Sequence, residues 1–492
     1  MNPRVRCPNP SARFSVALVL AALTLPGCGW PGITAKRPDI ILVVVDSLRA
    51  DYLGCYGFQG DVSPALDRLA SESILYDNAV APSPWTKPSV ASLFTSLDPL
   101  THRVLDQDQQ FGKELPATEK TDVLAAEART LAEALGDLGY ETAAWVANPW
   151  IEQAELGFRQ GFAQFRTLAP PEGERMILEV QEWVRNRAAD PKNRKPIFLY
   201  MHFMDVHGPY QSTPELLAKL SSSPSLGDDR LLNAEERWDL GYLDDYTPWR
   251  DLEAGLHLRN WRASYASSVR LFDDRFGRFL AWLRSTEQLQ RPILVFTSDH
   301  GEDLLEHGRW SHGFAPTLFQ HSIRIPLLIR LSGGTGGGRR DDRMTGLFDV
   351  MPTLLRLAGD HREFTGLEGA ALLDSKGRAT ADTAAWSFSG AVADNPQMVS
   401  VQDRAYKLIW EFPEDAMAFY NVREDPDERV NLALNRAGPD APTAAVEAAR
   451  RRMAEGLATR IQRLRAAPGL LATHAGLDSE SVARLKALGY LQ

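Results

Sequence analysis

The amino-acid sequence predicts an α/β fold: a helix-covered, mostly parallel sheet with a smaller C-terminal α+β subdomain. Three observations carry this. Apolar, β-branched runs such as DIILVVVD (39–46) and PILVFTSD (292–299) recur, of the kind buried on both faces of a parallel sheet. Between them lie stretches with apolar residues at three and four, the period of amphipathic helices. Several of the strand runs end on an acid or a histidine, at the edge where open α/β sheets bind ligands.

The N-terminal residues stand outside that pattern. Arg4, Arg6 and Arg13 precede FSVALVLAALTL, too short to span a bilayer comfortably as a permanent helix, so residues 1–27 read as a secretory signal. The run closes in LPGC, which resembles the bacterial lipoprotein signal and makes Cys28 the lipidated N-terminus; a plain signal or an uncleaved anchor is the alternative. Residues 28–38 are then a short Gly/Pro tether. With Cys7 lost and Cys28 carrying lipid, Cys55 stands alone and no internal disulfide forms. Loss of residues 1–27 moves the formal charge from −10 to −13. This argues against a nucleic-acid partner and leaves membrane attachment to the lipid.

The first strand run ends on Asp46, which a helix cap explains as well as a metal ligand does. In VAPSPWTKPSVASLFTSLDP (80–99), TKPS opens what reads as a buried helix with Pro88 in its first turn. Thr86 is there either a cap or a nucleophile. Strands are expected at 141–147 and 196–203, the second followed by Asp205 and His207, and helices at 128–140, 174–188 and 267–285. A long polar insertion, 221–253, occupies a place where loops over a site usually sit. The strand at 292–299 delivers Asp299 and His300, with Gly301 to bend the backbone and His307 and His312 beyond. A strand at 325–331 and a helix within 346–360 complete this part; shorter strands such as AYKLIWE (405–411) and two helical stretches follow. His202 lies inside a strand and is assigned to packing, and His307 to a turn or supporting place. His102, His257, His321, His361 and His474 have no supporting motif.

Carboxylates and imidazole converging beside an alcohol make a divalent-metal site. Solvated loop residues are the bland alternative, which two strand-end clusters in one chain disfavour.

In order along the chain, DIILVVVDSLRADYLGCYG, SPALDRLASESILYDNAVAPSPWTKPSVASLFTS, TSDHGEDLLEHG, IPLLIR, DVMPTLL and AYKLIWE…FYNVREDPDERVNL resemble the blocks of the sulfatase branch of the alkaline phosphatase superfamily. The resemblance spans nearly all of residues 39–435 and implies a catalytic domain over 39–365 with a C-terminal subdomain over 366–492. It implies metal ligands at Asp46, Asp299 and His300, with the nucleophile position at Thr86, which would also bind the ion. Sulfatases convert a Cys or Ser there to formylglycine, which threonine does not supply; Thr86 is similar instead to the nucleophile of related phosphodiesterases and phosphoglycerol or phosphoethanolamine transferases. Val90 replaces the motif's arginine, and Ser47 the second acid of its DD pair. Asn148 takes the region of a sulfate-binding Lys and His, as a neutral group facing the ester. His207 matches a histidine near the leaving group and His312 stands for a lysine, so either is a candidate general acid, while Lys87 restores one positive charge.

A threonine hydroxyl needs a metal or a base to become a nucleophile. An ester on threonine must then be attacked at phosphorus or sulfur, a route that in-line displacement at phosphorus follows readily. The expected function is therefore a hydrolase or transferase of phosphate or sulfate esters, phosphate mono- or diesters favoured, using one divalent ion (Ca, Mg, Mn or Zn) and a covalent threonine intermediate. A sulfatase in the ordinary sense and a catalytically silent binding protein are the alternatives. The expected partners are a small-molecule or envelope glycan or lipid ester and, through the N-terminal lipid, the bacterial envelope membrane on its periplasmic side.

Overall fold

The structure, a computed structural model, describes residues 37–105, 120–169, 172–189, 195–233, 236, 257–289, 292–312, 317–382, 387–391, 398–411, 415–434, 443–466 and 473–476. The signal and tether expectations, most of the 221–253 insertion and the second terminal helical stretch lie outside the described residues. In chain order the strands, with the first two α-helices, are β1 (Ile40–Val45), α1 (Pro64–Ser71), β2 (Ile74–Val80), α2 (Thr86–Thr95), β3 (Lys120–Val123), β4 (Glu141–Val146), β5 (Gln164–Thr167), β6 (Ile197–Phe203), β7 (Ile293–Thr297), β8 (Asp303–Leu304) and β9 (Trp310–Ser311). There follow β10 (Leu327–Arg330), β11 (Arg339–Gly346), β12 (Ser387–Ala391), β13 (Met398–Gln402), β14 (Lys407–Glu411), β15 (Ala416–Tyr420) and β16 (Thr473–Gly476).

Eight strands form one sheet in the order β11-β2-β10-β7-β1-β6-β4-β5. Its pairings are parallel except at β10, which runs antiparallel to both β7 and β2. The expected run at 325–331 is thus a strand of reversed direction. Central β1 is buried along its whole length, as a strand covered by helices on both faces must be. The 28-residue helix Leu258–Ser285 lies on the sheet through aromatic contacts, Phe272 against Phe203 at 5.3 Å and Phe276 against Phe296 at 5.4 Å between ring centroids. It begins nine residues before the start its apolar pattern suggested, because its first turns, around Trp261 and Tyr265, are also buried.

The sheet's central register sets up the site. Val44 pairs with His202 and with Thr297, so the C-terminal ends of β1, β6 and β7 are level. Asp46, Asp205, His207, Asp299 and His300 all leave this one edge. A second sheet, β12 to β15, is an antiparallel meander covered by the helix Ala444–Ala466, whose Met453, Leu457 and Ile461 pack on Val399, Val401, Leu408 and Phe419. That is the smaller antiparallel unit anticipated after the main sheet.

Candidate active site

Asp46 follows β1 directly; its N–H donates to the Phe203 carbonyl at 2.9 Å, and its side chain is fully buried. Ser47, next in the chain, has a φ of 60°, a left-handed conformation uncommon outside glycine. That turn points the Ser47 N–H at Asp299 Oδ1 (3.3 Å) and its hydroxyl at Asp46 Oδ1 (2.8 Å). Asp299 Oδ1 also accepts from the His300 N–H at 3.0 Å, while its Oδ2 has no hydrogen-bond partner. Gly301 is required at the following turn: a Cβ there would lie 1.9 Å from the His321 carbonyl oxygen.

Thr86 is the first residue of α2, and the capping position belongs to Trp85, which makes no side-chain cap bond. The Thr86 hydroxyl instead donates to Asp46 Oδ2 at 3.3 Å and lies 3.3 Å from His300 Nε2. The cap reading of this threonine therefore gives way. The expected Asp46, Thr86, Asp299 and His300 are together, all of them buried. Asn148 joins them, donating from Nδ2 to Asp46 Oδ2 at 2.6 Å with Thr86 Oγ1 at 3.4 Å, while its own Oδ1 accepts from the Trp150 N–H at 2.8 Å.

His207 and His312 lie on the same cluster. Asp46, His207 and His312 each offer a ligand atom within 4.8 Å of the others, and the His312 ring is 4.3 Å from that of His300. The short ladder of β8 with β9 folds the chain back after His300 and so returns His312 to the edge. Lys87 extends elsewhere: its Nζ donates to Thr121 Oγ1 at 2.6 Å and lies 5.4 Å from the Trp150 ring, and burial holds its pKa well below the ordinary lysine value. Asp205 is engaged by Arg275 at 2.7 Å. His307 stacks on Phe319 with ring centroids 3.7 Å apart.

Two groups at the site were missed by sequence reasoning. His202, assigned to packing, presents Nε2 at 3.4 Å from Asp46 Oδ2 and 3.7 Å from Asp299 Oδ2. The signal available was its place one residue from the end of β6, level with the end of β1. Glu302, within the DHGEDLLEHG block, pairs with His312 Nδ1 at 3.1 Å.

Electrostatically the cluster holds two buried acids pushed in opposite directions. Burial and the neighbouring Asp46 push Asp299 up to about 8. Asp46 is held well below the ordinary range: burial raises it, but the neighbouring imidazoles of His202, His207 and His300 outweigh that. Burial and His312 lower His300 to about 4, and burial lowers His207 and His312 as well. Two fully buried carboxylates, one oxygen without a hydrogen-bond partner and neutral imidazoles around them are the donor set of a divalent cation. A metal ion fits these residues.

The sulfatase family profile matches residues 38–360. Among curated proteins, the chain is 24% identical to an N-acetylglucosamine-6-O-sulfatase of Bacteroides thetaiotaomicron, covering 86% of this chain and 87% of that one. It is also 24% identical to an arylsulfatase of Clostridium perfringens, covering 80% and 90%. Among solved structures, a phosphonate monoester hydrolase from Silicibacter pomeroyi superposes with a TM-score of 0.62 at 18% identity, covering 87% of this chain and 96% of that one. At such identity the last comparison speaks for the fold alone.

Proposed function

The chain belongs to the sulfatase family, and on that premise we propose that it is a metal-dependent ester hydrolase in which Thr86 forms a covalent intermediate. The coarse activity, hydrolysis of sulfate or phosphate esters, follows from the family. The preference for phosphate mono- or diesters is our reading, supported by threonine in place of a residue convertible to formylglycine. The observation that carries the proposal is the Thr86 hydroxyl, 3.3 Å from both Asp46 Oδ2 and His300 Nε2 at the first residue of a buried helix.

Asp46, Thr86, Asp299 and His300 would hold the ion, with Ca, Mg, Mn and Zn the candidates; when bound, it supplies positive charge that lowers the hydroxyl pKa and offsets charge on the ester oxygens. Asp46 accepts the Thr86 hydrogen and orients the oxygen, and the Asn148 amide faces it from the other side. The helix N-terminus at Thr86 favours an anion. Thr86 Oγ1 attacks phosphorus or sulfur, the bond to the leaving oxygen breaks, and an ester on Thr86 remains until water attacks it and restores the hydroxyl. The leaving oxygen takes its proton from Nε2–H of neutral His312, whose Nδ1 takes the Glu302 proton in exchange; His207, its Nδ1 2.5 Å from the Gly208 carbonyl, has no proton to give from Nε2 while neutral. Glu302 is pushed up to about 8 chiefly by burial, so at neutral pH it keeps a proton 3.1 Å from His312 Nδ1. We assign Glu302 to positioning and re-protonating that ring.

The test is a panel of aryl phosphate monoesters, diesters and sulfates offered to the purified chain with several divalent ions, and to Thr86→Ala. Phosphate-ester turnover that Thr86→Ala abolishes supports the proposal. A second reading, a sulfatase in the ordinary sense, is favoured by the names of the two curated relatives; preferential sulfate-ester cleavage would establish it. We further propose export and lipid attachment at Cys28, supported by the N-terminal basic and apolar pattern.

A further inference from the structure

We propose that His202 is a fifth ligand of the ion assigned above to Asp46, Thr86, Asp299 and His300, and that it selects zinc or manganese over calcium. The inference rests on that reading of the site.

The geometry around the two carboxylates is nearly symmetric. His300 Nε2 lies 3.5 Å from Asp46 Oδ1 and 3.6 Å from Asp299 Oδ2. His202 Nε2 lies 3.4 Å from Asp46 Oδ2 and 3.7 Å from Asp299 Oδ2. Two imidazole nitrogens therefore flank the same pair of acids, one from the end of β7 and one from β6. Both rings are fully buried, and His202 Nε2 and Asp299 Oδ2 each have no hydrogen-bond partner. Asp46, His202 and Asp299 each offer a ligand atom within 4.8 Å of the others.

The second nitrogen of each ring fixes what Nε2 presents. His300 Nδ1 is 2.8 Å from the Gly301 carbonyl, which only accepts, so that nitrogen carries the hydrogen and Nε2 the lone pair. His202 Nδ1 is 2.7 Å from the Tyr200 hydroxyl, two residues back on the same face of β6. In the proposed site Tyr200 would accept from Nδ1–H, which would leave the His202 lone pair on Nε2, facing the carboxylates. A hydrogen bond of this kind to the far nitrogen is the usual support of a metal-bound histidine.

The donor count then bears on the ion. Ser47 adds no charge, its hydroxyl being turned onto Asp46 Oδ1 at 2.8 Å. With His202 the set is two carboxylates, two imidazoles and one hydroxyl. Calcium takes six to eight oxygens, whereas imidazole suits zinc and other first-row transition ions.

The full chain, stripped with a chelator, is equilibrated separately with zinc, manganese and calcium, and ion content and affinity are measured for wild type, His202→Ala and His202→Asn. X-ray absorption at the zinc edge counts bound imidazoles, and circular dichroism of the metal-free proteins checks folding. We expect one tightly held ion in wild type, zinc and manganese preferred over calcium, and at least two imidazoles at zinc. Both variants should lose one imidazole and at least about tenfold in zinc affinity, with calcium affinity little changed. Unchanged zinc affinity and imidazole count in a folded variant would overturn the role of His202 while leaving the other four ligands standing. Calcium preference in wild type would overturn the selectivity. A wild type that takes up no stoichiometric ion would fail the underlying reading instead. Should neither variant fold, a single imidazole in wild type overturns the proposal and two or more support it.

Discussion

At the scale of single residues, the site depends on which atoms are left without a protein partner. Asp299 spends Oδ1 on two backbone N–H groups and leaves Oδ2 open; Asn148 spends its oxygen on capping a helical turn and turns its amide onto Asp46. Glu302 makes a pH prediction. Because its pKa is raised to about 8, it is protonated below that pH and loses the proton above it. Turnover should therefore fall on the alkaline side of about pH 8, and Glu302→Gln should remove that limb and slow kcat by roughly a hundredfold. A pH–rate profile of kcat for both proteins checks it; an unaltered alkaline limb in the variant would remove Glu302 from the scheme. At this scale the sequence was informative where residue type is restrictive. Asp299 and His300 stood out because an acid and a histidine beside glycine at a strand end are hard to explain otherwise, whereas Asp46, Thr86 and His312 were singled out through the resemblance of the ordered blocks. His202 was missed because a histidine inside an apolar strand looks like packing until the neighbouring strands' register is known.

At the scale of elements, the ligands must be held by loops that agree in position, and Arg49 ties two of them together. Its guanidinium joins Asp51 at 2.7 Å, Glu306 at 2.6 Å and the Glu302 carbonyl at 3.0 Å, so the loop after β1 is fastened to the loop after β7. Burial raises the Glu306 pKa, but Arg49, His321 and Arg262 outweigh it and hold the carboxyl well below its ordinary value. That stability is present above the ordinary glutamate value of 4.5 and is lost as pH falls through the lower folded one. Arg49→Leu should cost roughly 3 kcal/mol at neutral pH, since it strands Glu306, and less as Glu306 protonates in acid. Denaturant unfolding of both proteins at pH 7 and pH 4 measures this; equal stability at pH 7 would refute the clasp. Strand sequences predicted the central elements well, because full burial demands continuous apolar runs. Edge strand β11, RRDDRMTG, carries no such demand on its outer part and escaped notice, as did the reversal of β10, whose side chains are buried equally well in either direction.

For the whole molecule, no described helix is long and apolar enough to cross a membrane, and the membrane attachment proposed above is a matter for the N-terminal pattern alone. Cys28→Ala should abolish incorporation of labelled fatty acid and shift the protein from the membrane to the soluble fraction of a bacterial host. Labelling that persists in the variant would remove the lipid from Cys28. The family and the fold were legible in six ordered blocks, since a buried parallel sheet and its ligand edge leave strong traces. The organic part of the substrate was not, because the loops expected to shape it, 221–253 in particular, follow no periodic rule.

The central claim, that Thr86 is the nucleophile, is tested most directly by rapid quench. The chain is mixed with an aryl phosphate ester that it turns over, stopped in acid, digested, and the peptide carrying Thr86 examined by mass spectrometry. The account predicts a phosphoryl group on Thr86 in wild type, and neither the group nor measurable turnover in a folded Thr86→Val variant. Undiminished turnover in that variant, or the phosphoryl group on another residue, would contradict it.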